Sequence, residues 1–340
     1  MTSATVRDIT RPELPHKLQV EVTASCNLRC RMCIVRYRPT LPRSASMPLA
    51  DLRRLLEAMP SVRELVLQGI GEPLLAPDLY EMVAFASRRG IFVEFNSNAT
   101  LLTRRAGERL IDAGLSALHI SLDGATKETY EFVRDGARFE TVERNITGFM
   151  NLRRGRRAER PSVSLVMVLM RHNLHELPDV VRRAAHWGIG EVFTQNLSHD
   201  FSDTPPAAYE SIAAYVNDQT ILAMPAEEVE AIFERARRVA TSEGVRLRLP
   251  HVEEDGEPPR VDGVPVACDW PWQGAYVTYK GEVMPCCMVM GTDRITLGNA
   301  HERPFAEIWT GDEFARFRAG LVNSEPHPVC RGCSMYRGLF

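Results

Sequence analysis

The chain has 340 residues and a mass of 38.2 kDa, enough for one large domain, a smaller one and a sizeable core. Hydrophobic residues make up 44% and charged residues 25%, and the net charge of −3 gives no electrostatic case for nucleic acid or an anionic membrane. No apolar run reaches the roughly 20 residues of a spanning helix, and residues 1–17 lack the apolar centre of a secretory signal, so the sequence reads as cytoplasmic.

From residue 18 to residue 197 short apolar runs alternate with amphipathic stretches. The predicted strands are LQVEVT (18–23), VRELVLQ (62–68), IFVEFNS (91–97), LHISLD (118–123), SVSLVMVL (162–169) and VFTQNL (192–197). Helical stretches separate them, as in PLADLRRLLEAM, where Leu49, Leu52, Leu55, Leu56 and Met59 form one face. Repeated β-then-α units predict an α/β fold with a parallel sheet and helices outside. Six units are too few for a complete eight-unit barrel, so a partial (βα)6 TIM-like barrel is expected.

Strand parity gives that sheet an inner face. His119, Ser121 and Asp123 share one side of their strand, with Leu118, Ile120 and Leu122 on the other. Glu94, Asn96 and Asn98 fall together, as do Gln19, Glu21 and Thr23. A parallel strand in a plain core is apolar on both faces, so three strands with one polar face predict a hydrated or ligand-filled interior. His119 reads as a hydrogen-bonded interior histidine.

Residues 198–225 form a long insertion, read as a lid or substrate loop with some helix. His199 and Asp200, at its start, read as cap or turn residues. A helix in AEEVEAIFERARRVATSEG and a strand in VRLRL complete a first domain over 18–250, preceded by an N-terminal extension (1–17). The acidic stretch 251–265, rich in Pro and Gly, reads as a linker. A small α+β domain follows over 266–340, with a hairpin turning at Lys280-Gly281 and a helix in PFAEIWTGDEFARFRAGL.

All eight cysteines fall in two groups: Cys26, Cys30 and Cys33 near the start, and Cys268, Cys286, Cys287, Cys330 and Cys333 near the end. In a reducing compartment such groups bind metal or act in catalysis more often than they form disulfides. The first group, in EVTASCNLRCRMCIVRY, is a C-x3-C-x2-C array just after the first strand, at the carboxyl end where ligands bind in parallel α/β folds. Three thiols are one short of the four that tetrahedral zinc or an ordinary four-iron, four-sulfur cluster takes from protein. The missing ligand is either a remote fourth cysteine or a position kept for something other than protein.

With Met32 before its last cysteine, the array closely resembles the signature of the radical S-adenosylmethionine (SAM) superfamily. The resemblance implies a four-iron, four-sulfur cluster on Cys26, Cys30 and Cys33 whose fourth iron chelates SAM. QGIGEP (68–73) resembles the family's Gly-Gly-Glu-Pro segment, which implies SAM contacts at Gly69, Gly71 and Glu72, although Ile70 separates the two glycines. NSNATLL resembles its Thr-Asn-Gly-Thr-Leu-Leu segment, with Asn98 matching and Ala99 in place of glycine. SLDG implies that Ser121 and Asp123 face the cofactor, and Arg134 matches an arginine that pairs with the SAM carboxylate. TQNL offers Gln195 and Asn196 toward the ribose. Any one of these segments is a common turn; their order, one βα unit apart, carries the resemblance.

The second group resembles the SPASM/twitch extension of the same superfamily. Cys330-x2-Cys333 alone would read as half a zinc site, but Cys268, Cys286 and GNAHERPFAEIW precede it. Cys286 follows Cys268 by 18 residues and precedes Cys330 by 44, spacings like those of one-cluster twitch enzymes. The resemblance implies a second four-iron, four-sulfur cluster on Cys268, Cys286, Cys330 and Cys333, fully ligated and suited to electron transfer. Cys287 is then spare, either a structural thiol or the alternative ligand beside the cluster, or a hydrogen-atom donor to a substrate radical.

The function implied is reductive cleavage of SAM to a 5′-deoxyadenosyl radical that abstracts a hydrogen atom from substrate, fed by a flavodoxin- or ferredoxin-type reductant. Two substrate classes follow from the resemblance. The one-cluster spacing leans toward oxidation or epimerisation of a small molecule of sugar or aminocyclitol type. The alternative is a precursor peptide delivered by a separate recognition protein, since the cysteine loop begins too early to leave room for a fused one. A non-catalytic zinc scaffold is the reading from a different class, and the polar strand faces argue against it.

Overall fold

The computed structural model describes residues 9–37, 45–197, 199, 201, 206–251, 260–261 and 263–339. Strand β1 (Lys17–Val20) leads through the cysteine loop into a short helix, α1 (Ile34–Tyr37), and then α2 (Leu49–Ala58). Four βα units follow: β2 (Glu64–Val66) with α3 (Leu79–Arg88), β3 (Phe92–Ser97) with α4 (Arg104–Ala113), β4 (Ala117–Ser121) with α5 (Lys127–Val133) and α6 (Phe139–Arg156), and β5 (Ser162–Leu169) with α7 (Leu177–Trp187). Then come β6 (Glu191–Asn196), α8 (Pro206–Gln219), α9 (Ala226–Glu243) and β7 (Arg246–Arg248). All six predicted strands are present, as is the VRLRL strand, and β1 to β7 pair in parallel in chain order. The sheet does not close.

Helix boundaries follow local chemistry. Thr103 Oγ1 accepts from the Ala106 amide to cap α4, and Gly114, at φ +82°, ends it in the left-handed region. Leu18, Leu65, Val93, Phe95, Leu118, Ile120 and Leu165 turn outward, fully buried under the helices. At roughly 1.5–3 kcal/mol for each large side chain buried, this outer face holds the helices to the sheet.

The inner face is polar, as parity predicts. His119 Nδ1 lies 2.7 Å from Ser164 Oγ on β5 and its Nε2 3.2 Å from Glu94 Oε2 on β3. Burial works to raise the Glu94 carboxyl, but His119, Lys17 and Glu64 together outweigh it and hold it below its usual range. Lys17 and Glu64 form an ion pair between β1 and β2.

The C-terminal segment begins with a two-strand ribbon, β8 (Arg260–Val261) and β9 (Val264–Pro265), and a short helix, α10 (Trp270–Gln273). The predicted hairpin is β10 (Gly274–Val277) and β11 (Glu282–Met284), with Gly281 at φ +80° in its turn. A further strand, β12 (Gly298–Asn299), extends it. The hairpin is not separate from the barrel: β10 pairs in parallel with β1, Lys17 opposite Gly274 and Gln19 opposite Tyr276, giving one ten-stranded sheet. The single helix expected over 304–321 is two, α11 (Phe305–Trp309) and α12 (Asp312–Val322), because Gly311 adopts extended backbone and restarts the helix. A last short helix, α13 (Pro328–Arg331), carries Cys330.

One buried arginine fastens this region to the start of the chain. Arg318 donates to the carbonyls of Pro271 (2.8 Å), Trp309 (2.8 Å) and Thr10 (3.0 Å), between the rings of Trp309 and Phe314. Of the predicted linker, residues 252–259 and 262 lie outside the described residues, as do residues 1–8 of the extension and residues 198, 200 and 202–205 of the insertion. Among the described residues, no helix is long and apolar enough to cross a membrane.

Candidate active site

Cys26, Cys30 and Cys33 occupy the loop between β1 and α1. The loop is pinned by its backbone: the Arg29 amide donates to the Asp135 carbonyl (2.8 Å) and the Arg31 amide to the Val133 carbonyl (2.9 Å). Burial pushes the Cys26 thiol up to about 11 and the Cys30 thiol up to about 12, and raises Cys33 as well. Arg134 is the cation that opposes this at all three. One buried and two half-buried thiols short of positive charge fit a metal cluster, whose irons would supply it. Among the described residues, no three His, Cys, Asp or Glu side chains converge to hold one metal ion. A cubane does not require that convergence, since each thiolate binds a different iron.

The motif residues surround this loop. Gly71 is fixed by close approach, because a Cβ there would stand 2.3 Å from the Thr23 carbonyl oxygen and 2.5 Å from that of Ser25. The Glu72 amide donates to the Ser25 carbonyl (2.8 Å). A Cβ on Gly69 would collide with the Glu21 side chain. The Glu72 carboxylate is buried, its pKa raised by desolvation, and accepts from Ser97 Oγ (2.8 Å), the Asn98 amide (2.8 Å) and the Leu74 amide (3.2 Å). It thereby ties the ends of β2 and β3 together. Asn98 Nδ2 donates to Asn27 Oδ1 (3.0 Å) inside the cysteine loop.

Asp123 and Arg134 form a buried pair. Asp123 is fully buried and accepts from the Val168 amide (2.8 Å), while Arg134 Nη2 lies 2.6 Å from Asp123 Oδ2. Burial works against the guanidinium, but Asp123 and Cys30 hold its pKa above the usual range. Arg134 Nε is buried with no hydrogen-bond partner, a spare donor that fits an acidic ligand group. Ser121 lies half-buried at the end of β4. On β6 the two expected residues diverge. Gln195 is half-buried, whereas Asn196 is buried and donates to the His251 and Leu339 carbonyls (2.8 Å each), tying the chain's last residues to the sheet.

Two cavities separate the C-terminal cysteines. The larger, about 390 Å³, lies between the motif loops and the β10–β11 hairpin and is lined by Glu21, Gly69, Gln195, Tyr276, Cys287 and Met288 among others. The smaller collects Cys268, Cys286, Cys330 and Cys333 among apolar side chains that include Trp270, Phe317, Leu321 and Tyr336. Adjacent residues thus part company: Cys286 is in extended backbone and joins the four-cysteine pocket, while Cys287 opens the next turn and lines the large cavity. Burial pushes Cys268 up to about 12 and Cys287 up to about 11. Four half-buried thiols gathered among apolar side chains fit a fully ligated cluster. His119 is hydrogen-bonded as expected; His199 lines the large cavity, its pKa pushed down to about 4 by burial and Arg294; Asp200 lies outside the described residues.

Two residues of the large cavity lie outside the motifs that the sequence singles out. Glu21, just after β1, shows in the sequence only as a polar residue on the inner face. Tyr276, whose hydroxyl donates to Glu21 Oε2 (2.8 Å), reaches it through the β1–β10 pairing, which no local pattern announces.

Residues 20–184 match the model of the radical SAM superfamily, and residues 268–334 match the SPASM model, an iron–sulfur cluster-binding domain. The chain is 25% identical to a tungsten-containing aldehyde ferredoxin oxidoreductase cofactor-modifying protein of Pyrococcus furiosus, covering 94% of this chain and 87% of that one. It is 26% identical to a PqqA peptide cyclase of Xanthomonas campestris, over 94% of this chain and 79% of the relative. In fold it resembles SuiB of Streptococcus suis, solved bound to the precursor peptide SuiA, with a TM-score of 0.71 at 14% identity over 98% of this chain and 72% of SuiB.

Proposed function

From a chain that belongs to the radical SAM superfamily and carries its SPASM iron–sulfur domain, we propose an enzyme that functionalises a C–H bond of a peptide held in the 390 Å³ cavity. Bound SAM and a reduced four-iron, four-sulfur cluster supply one-electron cleavage of the sulfonium, giving methionine and a 5′-deoxyadenosyl radical able to take a hydrogen atom from carbon. In this reading Cys26, Cys30 and Cys33 hold the SAM-binding cluster, and Cys268, Cys286, Cys330 and Cys333 hold the auxiliary one. Gly69 and Gly71 let the loop backbone approach SAM, and Glu72 and Asn98 keep that backbone in place. Arg134, oriented by Asp123, offers its spare N–H to the SAM carboxylate, with Ser121, Gln195 and Asn196 on the remaining wall.

The observation that carries the reading is the position of the large cavity. One wall is made by the loops that resemble SAM-binding segments and the other by Tyr276, Cys287 and Met288 from the C-terminal domain. A substrate seated there lies between the radical source and the auxiliary domain. Cys287 is placed to give its S–H hydrogen atom to a substrate radical. The thiyl left behind regains one electron from a flavodoxin- or ferredoxin-type reductant and one proton from solvent.

A peptide substrate, delivered by a recognition protein in trans, is supported by the likeness to a peptide cyclase over 94% of the chain, and it displaces the small molecule favoured by cysteine spacing alone. The cavity would admit one or two side chains, leaving the rest of the peptide outside. Oxidation or epimerisation of a small molecule is the second reading, favoured by the volume of the same cavity and by the likeness to a cofactor-modifying protein.

Anaerobic reconstitution tests the core of this reading. Two four-iron clusters per chain and reductant-dependent release of 5′-deoxyadenosine from SAM are expected; zinc in place of iron, or intact SAM, would overturn it. Co-expression with short open reading frames adjoining the gene, followed by mass spectrometry in D2O, separates the substrate classes. A peptide that gains one deuterium with wild type and none with Cys287→Ala supports the donor role.

A further inference from the structure

The large cavity holds a carboxylate without a counter-ion. Glu21 is 4% exposed, and its hydrogen bonds come from neutral donors: the Tyr276 hydroxyl (2.8 Å) and the Ile70 amide (3.2 Å) to Oε2, and the Tyr279 backbone. Charged groups face it from few directions. The hairpin presents Glu282, whose like charge disfavours ionisation of Glu21, and Lys280, which is exposed at the turn with its ammonium 5.7 Å over the Tyr279 ring. The loop after β2 contributes Gln68, Gly69 and Ile70, none charged, and the segment after β6 contributes His199, neutral at ordinary pH. Among the described residues neither Glu21 nor Glu282 is ion-paired with a lysine or arginine.

Uncharged polar residues make up part of the same lining. Asn196 lines this cavity, is 3% exposed, and has a side-chain Oδ1 that is buried without a hydrogen-bond partner. The amide orientation is fixed, because Nδ2 already donates to two carbonyls. His199 Nδ1 in the same lining is likewise buried and unpartnered. The lining therefore presents a buried carboxylate, and its cation, Lys280, stands exposed at the turn and, among the described residues, is not ion-paired with Glu21. Its other walls are the rings of Tyr276 and Tyr279 and the thioethers of Met284, Met288 and Met290, surfaces that favour a cation over an anion.

We infer that this cavity recognises a primary ammonium group on the substrate, with Glu21 as its counter-ion and Tyr276 holding the carboxylate in place. The inference rests on the cavity being the substrate site of the proposed reaction. Burial and Glu282 push the Glu21 carboxyl up, and an incoming ammonium would reverse that by pairing with the charged form. A lysine side chain, an amino terminus or an amino sugar would each present the required group.

The test uses the anaerobically reconstituted protein and three probes of one shape: butylammonium, butanol and butyrate, titrated by calorimetry with and without saturating SAM. Butylammonium is expected to bind most tightly and butyrate least, with SAM leaving the order unchanged and Glu21→Gln weakening butylammonium at least tenfold at unaltered iron content. Tighter binding of butanol or butyrate would overturn the inference. So would competition between butylammonium and SAM, which would give Glu21 to the amino group of SAM itself. Should Glu21→Gln fail to fold, the probe order in the wild-type protein decides. Release of 5′-deoxyadenosine without any amine tests the radical chemistry separately, so the two ideas can fail independently.

Discussion

Two sets of cysteines, built on one sheet, have opposite surroundings. Cys26, Cys30 and Cys33 stand in a single loop ringed by hydrogen-bonded polar groups: Glu72 clasping the β3 end, Asn98 reaching Asn27, and Asp123 against Arg134 with its unpartnered Nε. Cys268, Cys286, Cys330 and Cys333 come from separate segments into a pocket walled by Trp270, Phe317, Leu321 and Tyr336. Polar groups with spare valences suit a site that must accept and orient a ligand. An apolar shell around a complete ligand set suits one that only exchanges electrons. The same element type thus serves two tasks because the neighbours differ.

The contrast is broken most sharply by paired cysteine variants. Cys30→Ala should lower the iron content by half and cut 5′-deoxyadenosine formation by roughly 10³-fold or more, to background. Cys330→Ala should also remove about half of the iron yet leave substrate-free SAM cleavage within roughly tenfold of wild type, an effect of about 1.4 kcal/mol at most. Equal loss of SAM cleavage in both would mean that the second site does more than carry electrons.

Next in size is the buried pair. Arg134→Met leaves Asp123 charged and unpaired at full burial, which should cost about 3–5 kcal/mol in urea unfolding. Adding Asp123→Asn should restore part of that stability without restoring SAM affinity. A single variant that unfolds like wild type would show that the pair is not a support of the first site.

How legible these two sites were depends on sequence distance. Cys26, Cys30 and Cys33 lie within one loop, the NSNATLL and SLDG segments each end a strand whose polar face parity exposes, and QGIGEP ends the strand before them. The roles of single side chains were less visible. Glu72 and Asp123 carry the right chemistry at the right place, but their oxygens engage Ser97, Asn98 and Val168, so they act first as clasps between strand ends. The parting of Cys286 from Cys287 was hidden because it depends on one turn of backbone after β11. Pairing of β10 with β1, across more than 250 residues, left no local pattern. It is what brings Tyr276 to Glu21 and makes a shared cavity of two regions.

A smaller effect separates the regions by pH. Glu176, in the turn before α7, accepts from the Ala125 amide (2.6 Å), the Thr126 amide (3.1 Å) and the hydroxyls of Thr126 and Thr129 (2.7 Å each), fastening the loop that leads to Arg134. Burial works to raise this carboxyl, but the hydroxyls and amides outweigh it and hold it below its usual 4.5. Its stabilisation is therefore complete above that value and is lost as pH falls through the lower, folded one. Glu176→Gln should cost about 1.5–3 kcal/mol at pH 7, and the gap to wild type should narrow as pH falls below 4.5. A gap that persists in acid would assign the loss to packing instead of charge.

The smallest expected change lies at Ala99, where the resembled segment has glycine. Its φ of +57° places a non-glycine residue in the left-handed region, at a cost of about 1–2 kcal/mol. Ala99→Gly would relieve that strain. It would also expose nothing useful in return for a fully buried methyl worth about 0.8 kcal/mol, and free the unfolded chain by a further 0.4–1 kcal/mol or so. These terms oppose each other at nearly equal size, so the urea midpoint should move by less than about 1 kcal/mol equivalent, with SAM cleavage unchanged. The Asn145 side chain, which donates to the Ala99 and Thr100 carbonyls (2.9 and 3.0 Å), keeps the loop's path independent of the residue at 99. A gain well above 1 kcal/mol would mean that the methyl contributes little and that alanine is tolerated at the first site only because the Glu72 and Asn145 clasps hold the turn against its own preference.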